Sequence, residues 1–172
     1  MNKTFLTLMV FLTSALPLFA QQGSLNETRY DTAAKQQILI GLCNREGLNG
    51  EIFGQYFKDE YDHYQEDPEI AGQIRRNIAG TEILIVMATW CGDSKEQVGR
   101  FYKILDNAGF PADKLTLVCV DKSKKGGPVS LEGKSLEKVP TFIVYRKGME
   151  EGRIVESPTE TLEKDLLRII QK

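Results

Sequence analysis

Cys43, Cys91 and Cys119 are the three thiols of this 172-residue chain, and Cys91 is the one whose neighbours suit covalent chemistry. It follows the apolar run Ile83-Leu84-Ile85-Val86-Met87-Ala88 and lies within Trp90-Cys91-Gly92-Asp93-Ser94-Lys95. The run has the length and β-branched content of a strand buried on both faces. Beyond the turn, Val98, Phe101, Tyr102 and Leu105 recur at helical spacing, and Gly109 and Pro111 stop the pattern. Cys91 is therefore expected at a strand-to-helix turn. The unpaired amides and partial positive charge of a helix N-terminus favour a thiolate over a thiol. Ser94, one turn further, could donate a hydrogen bond to that sulfur, while a nearby Asp93 carboxylate would oppose the anion.

The other two thiols read as packing groups. Cys119 ends the β-rich run from Leu115 to Val120, and Cys43 is placed on a helix among apolar positions. The cysteines are too far apart, with His63 the single histidine, to give the close ligand spacing of a structural zinc site. No metal and no cofactor is expected.

Several elements must position Cys91. Thr32 to Asn44 reads as a helix capped by Asp31, with Gly47 as its stop, and a second helix is expected from Asn49 to Gln65. The second carries Phe53, Phe57, Tyr61 and Tyr64 along one face, a packing stripe, with His63 on a solvated side. Asp67 caps a third helix that begins at Pro68 and runs to about Asn77. Strand, helix and strand from residue 83 to 120 make a βαβ unit. Thr141 to Tyr145 and Arg153 to Glu156 then form a hairpin. Ser157-Pro158-Thr159-Glu160 has capping-box order ahead of a last helix faced by Leu162, Leu166 and Ile169. Residues 121 to 139 form one long irregular loop.

With these elements, Trp90-Cys91-Gly92-Asp93-Ser94-Lys95 resembles the active-site turn of the thioredoxin family, and Val139-Pro140-Thr141 resembles its cis-proline turn. The resemblance extends from about Ile83 to Ile170. It implies an α/β, thioredoxin-like fold, a central mixed sheet flanked by helices, over residues 82–172; the helical N-terminal extension read over residues 31–78 is additional to that fold and is expected to pack into the same domain. It also implies catalytic Cys91 and Ser94, with Trp90, Gly92, Asp93, Val139 and Pro140 contacting substrate. Pro140 would be cis beside Cys91, and the Val139 backbone would pair with an extended client peptide. Ser94 stands where the family has a second cysteine, Ile85 where it commonly has a buried acid, and Leu117 where a lysine often sits. The function implied is thiol-disulfide exchange through Cys91 without an internal resolving thiol. The alternative is a non-catalytic peptide-binding or chaperone-like module.

Residues 1–20 have the order of a secretory signal: Lys3, an apolar run from Phe5 to Leu18, and a cleavage site near Ala20-Gln21. Residues 21–30 read as a flexible lead, and residues 31–172 as one domain. The expected setting is periplasmic or secreted, with no integral membrane segment after cleavage. A net charge of −2 gives no footprint for nucleic acid. Protein thiols or disulfides are the expected partners.

Overall fold

The computed structural model describes residues 23–172. The expected signal segment lies outside them. Strand formation begins before the position expected for the first helix. β1 (Glu27–Asp31) and β2 (Gln36–Cys43) form an antiparallel hairpin, with Glu27 opposite Ile40 and Asp31 opposite Gln36. This corrects both the helix expected over Thr32–Asn44 and the flexible lead expected up to residue 30. The extension over residues 31–78 is accordingly not all helical.

The physical reason lies at Asp31. Its Oδ1 accepts from the Ala33 amide at 2.8 Å and the Ala34 amide at 3.1 Å, as a cap would, but these bonds close a turn. Lys35 completes the reversal at φ 56°. The helix-favouring alanines and lysine thus lie in a turn, and the following Ile38-Leu39-Ile40 is buried as sheet.

Short α1 (Arg45–Leu48) is capped by Asn44, whose Oδ1 accepts from Gly47 N at 3.1 Å. α2 (Gly54–His63) begins later than the expected Asn49. α3 (Pro68–Asn77) starts as expected, with Asp67 Oδ1 accepting from Glu69 N at 2.8 Å. Then come β3 (Thr81–Met87), α4 (Gly92–Ala108), β4 (Leu115–Cys119), β5 (Thr141–Arg146), β6 (Met149–Val155) and α5 (Leu162–Ile170). Gly109 ends α4 in the left-handed region at φ 70°. The cap of α5 is Thr161, not the expected Ser157. Glu160 is bonded to Arg168 at 2.5 Å, and Asp165 reaches back to the Thr159 amide at 2.6 Å.

The sheet order is β1-β2-β4-β3-β5-β6. β3 and β4 run parallel, with Ile83 opposite Leu115, and the other neighbouring pairs are antiparallel. The architecture is α/β, a mixed six-stranded sheet with helices. Buried side chains from all five helices join Leu39, Ile83, Ile85, Leu117 and Phe142 in one large cluster. A smaller cluster on the other face holds Val86, Ala88, Val118, Val120 and Val139, covered by Val129, Leu131 and Leu136 of the 121–139 loop. The two sheet faces are therefore covered by different kinds of structure.

The aromatic stripe of α2 is a packing face. Phe53 and Phe57 are buried, and Phe57 meets Tyr102 of α4 edge-on at 5.3 Å. Arg45 lies 4.9 Å from the Tyr102 ring and grips both oxygens of Asp106 at 2.7 Å, which also accepts from the Tyr61 hydroxyl at 2.6 Å. Gly99 permits this approach: a Cβ there would fall 2.6 Å from the Phe57 carbonyl oxygen. His63 is exposed, its Nδ1 2.8 Å from the Asp59 carbonyl oxygen.

Candidate thiol site

Cys91 is the N-cap of α4, with φ −89° and ψ 132°, so the chain leaves β3 extended and turns into the helix at Gly92. Its thiol is partly exposed, and it packs on the smaller cluster with Trp90. The Val139–Pro140 peptide bond is cis, as the family resemblance implies. Cys91 Sγ donates to the Val139 carbonyl oxygen at 3.1 Å, and Asp93 Oδ2 lies 3.9 Å from the same sulfur. A Cβ at Gly92 would meet no atom within 4 Å, which leaves open space beside the turn.

Two expectations for this region need correction. Ser94 does not hydrogen-bond the Cys91 sulfur among the described residues. It is fully buried, and its Oγ accepts from the Ala88 amide at 3.2 Å, tying the first turn of α4 to the end of β3. The Val139 backbone is also less exposed than expected. Val139 is only 4% exposed, and its carbonyl accepts from the thiol. Both corrections have one cause: polar groups in a buried turn find partners inside it before they can serve a ligand.

The proline segment is fixed by its own contacts. Thr141 Oγ1 donates to the Lys138 carbonyl at 2.7 Å, and the Glu156 amide donates to the Pro140 carbonyl at 2.7 Å. The Lys138 ammonium pairs with Glu156 at 2.5 Å, and that hydrogen bond holds its pKa above the ordinary lysine value. Pro140 itself is buried.

A second set of contacts reaches the site from the N-terminal hairpin. Trp90 Nε1 donates to the Val120 carbonyl at 3.1 Å, and the Lys122 ammonium lies 3.9 Å from the Trp90 ring centroid. Lys122 is placed by Asp31, whose Oδ2 accepts from its amide at 2.8 Å. Arg29 binds Asp121 Oδ2 at 2.6 Å, while Asp121 Oδ1 accepts from Ser123 N and Lys125 N, both at 2.9 Å. The Lys122 amide is the largest cause holding the Asp31 carboxyl below its ordinary pKa. Asp31, Arg29, Asp121 and Lys122 thus support the site although the sequence reading assigned them no part in it. The Asp-Thr-Ala-Ala turn at residue 31 was the available local signal, but its partner lies far along the chain.

Cys43 and Cys119 are buried in the large cluster, separate from the cluster that holds Cys91. Ile85 and Leu117 are buried there too, so no carboxylate or ammonium from those positions serves the thiol. The arrangement leaves one partly exposed sulfur at a helix N-terminus, flanked by an aromatic ring, a carboxylate and a peptide carbonyl.

No family model matches the sequence, and no curated protein does. Among solved structures, the 1.5 Å crystal structure of a protein of unknown function from Pseudomonas aeruginosa matches with a TM-score of 0.50 at 16% identity. That match covers 68% of this chain and 81% of the other. An HIV epitope scaffold matches at a TM-score of 0.49 and 18% identity, covering the same shares. An N21Q thioredoxin from Halobacterium salinarum matches at 0.36 and 17% identity, covering 62% of this chain and 84% of the thioredoxin. The first likeness is one of fold and says nothing of activity.

Proposed function

We propose that this chain is an exported thioredoxin-like protein that performs thiol-disulfide exchange through Cys91, isomerising or reducing mixed disulfides of protein clients. The observation that carries the reading is the partly exposed Cys91 thiol at the α4 N-cap, 3.1 Å from the Val139 carbonyl beside a cis proline. The thiol gives up its proton to solvent and leaves the carbonyl. The thiolate then attacks one sulfur of a client disulfide; an S–S bond forms to Cys91, the client S–S bond breaks, and the departing client thiolate takes a proton. Ser94 supplies no second thiol, so release requires the client's own second thiol or a small external thiol. Its attack on the mixed disulfide regenerates Cys91 as the leaving thiolate. The localisation rests on the signal-like order of residues 1–20.

A glutathionylated model peptide with free glutathione as the external thiol tests this. The full chain should accelerate release of peptide thiol, and Cys91→Ala should fall to the uncatalysed rate while still folding, as judged by its circular dichroism. Equal rates for Cys91→Ala and the parent would overturn the proposal.

A further inference from the structure

We propose, building on the exchange reading above, that the turn 121–125 selects the clients of Cys91 by docking acidic protein segments that flank a disulfide. The chain as a whole carries a net charge of −2, yet Lys122, Lys124 and Lys125 fall within this one turn and all three are exposed. The turn is closed by its own backbone. The Asp121 amide donates to the Lys125 carbonyl at 3.0 Å and the Lys124 amide to the Asp121 carbonyl at 2.9 Å, with Lys124 at φ 60°. Its one acid, Asp121, is neutralised by Arg29 at 2.6 Å and gives its second oxygen to the Ser123 and Lys125 amides. Among the described residues, none of the three ammonium groups forms an ion pair.

Two contacts set this turn beside the thiol. Val120, the residue before it, accepts from Trp90 Nε1 at 3.1 Å, and the Lys122 ammonium lies 3.9 Å from the centroid of the Trp90 ring, next in the chain to Cys91. Asp31 holds the Lys122 amide at 2.8 Å, so the backbone beneath that ammonium is fixed before a client arrives. The other charges close to the thiol do not cancel the patch. Lys138 is paired with Glu156, the Lys95 ammonium lies 4.1 Å from the Tyr56 ring, and Asp93 is the carboxylate 3.9 Å from the sulfur. Three lysines without acidic partners therefore outweigh one carboxylate.

Such a patch attracts opposite charge on an approaching partner and repels like charge, chiefly through the rate of encounter. Lipid headgroups and nucleic acids share the negative charge but carry no disulfide for the neighbouring thiol. Acidic protein segments supply both.

The test reads adduct formation rather than turnover. Three cysteine peptides, flanked by glutamates, by serines or by lysines, are activated as 2-pyridyl disulfides and mixed with the full chain. The Cys91 thiolate attacks the peptide sulfur, a Cys91–peptide S–S bond forms, and the pyridyl S–S bond breaks. The departing pyridine-2-thiolate takes up a proton, and its absorbance gives the rate, with Cys91→Ala as the blank. At low ionic strength the acidic peptide should react about tenfold faster than the basic one, and about 0.5 M salt should shrink that ratio to about twofold. The K122Q/K124Q/K125Q chain should lose the preference, K122R/K124R/K125R should keep it, and K122E/K124E/K125E should reverse it. Equal rates for the three peptides on the parent chain, a preference retained by the glutamine variant, or no release above the blank would overturn the proposal. Equal rates with glutathione-dependent turnover through Cys91 intact would overturn the selection alone. Charge-selective adducts without that turnover would support the selection and overturn the exchange reading.

Discussion

Ser94→Ala separates a structural role for this hydroxyl from a chemical one. Ser94 Oγ accepts the Ala88 amide at 3.2 Å, and both residues are fully buried. Removing the oxygen leaves a buried N–H unpaired, which costs about 1–3 kcal/mol. For a chain of this length, each kcal/mol lowers the melting temperature by roughly 2–4 °C, so a fall of about 2–12 °C is expected. No hydrogen bond from Ser94 reaches Cys91, and the alkylation rate of Cys91 should stay within about threefold of the parent. A tenfold rate change would correspond to about 1.4 kcal/mol of interaction with the sulfur. Thermal unfolding followed by circular dichroism and timed iodoacetamide labelling give the two readings on one sample. An unchanged melting temperature together with a tenfold slower alkylation would refute the reasoning.

Gly99→Ala should destabilise the protein by about 1–3 kcal/mol, because the new Cβ collides with the Phe57 carbonyl and the overlap outweighs the roughly 1 kcal/mol that alanine gains in a helix. A urea midpoint at or above that of the parent would show that α2 and α4 have room to separate. Asp31→Asn should weaken the fold near neutral pH, and the loss should shrink on acidification. The Asp31 pKa lies below 3.8 in the fold, so its contribution is present above that value and disappears as pH falls through the lower folded value. A stability difference that stays constant from about pH 6 into that acid range would contradict this assignment.

The segments whose pattern is local were legible in the sequence. The β3 run, the Val98-Phe101-Tyr102-Leu105 face, the Gly109 stop and the Asp67-Pro68 helix start all stand where residue type and spacing put them. The thiol turn and the cis Val139–Pro140 bond could be read because each has a short signature. The first hairpin could not. Asp31 followed by alanines satisfies the rules for a helix start, and the β1–β2 hairpin joins the main sheet through the pairing of β2 with β4, whose Cys119 is far along the chain. The same remoteness hid the bond from the Lys122 amide to Asp31, and with it the placing of the Lys122 ammonium against the Trp90 ring. Ser94 was visible as an unusual hydroxyl, but its alignment with the Ala88 amide depends on the geometry of the strand exit.

The uneven covering of the two sheet faces separates durability from access. The helices are bound into one large cluster, whereas Trp90, Cys91 and Val139 share the smaller one with three side chains of an irregular loop. Lifting that loop uncovers fewer apolar side chains than parting α4, with its nine buried residues, from the sheet, and its free-energy cost falls accordingly. Amide exchange around residues 121–139 can then run through a partial opening while β3 and α4 exchange only on complete unfolding. Substitutions in the loop should therefore change the reactivity of the partly exposed Cys91 thiol without lowering the melting point of the scaffold.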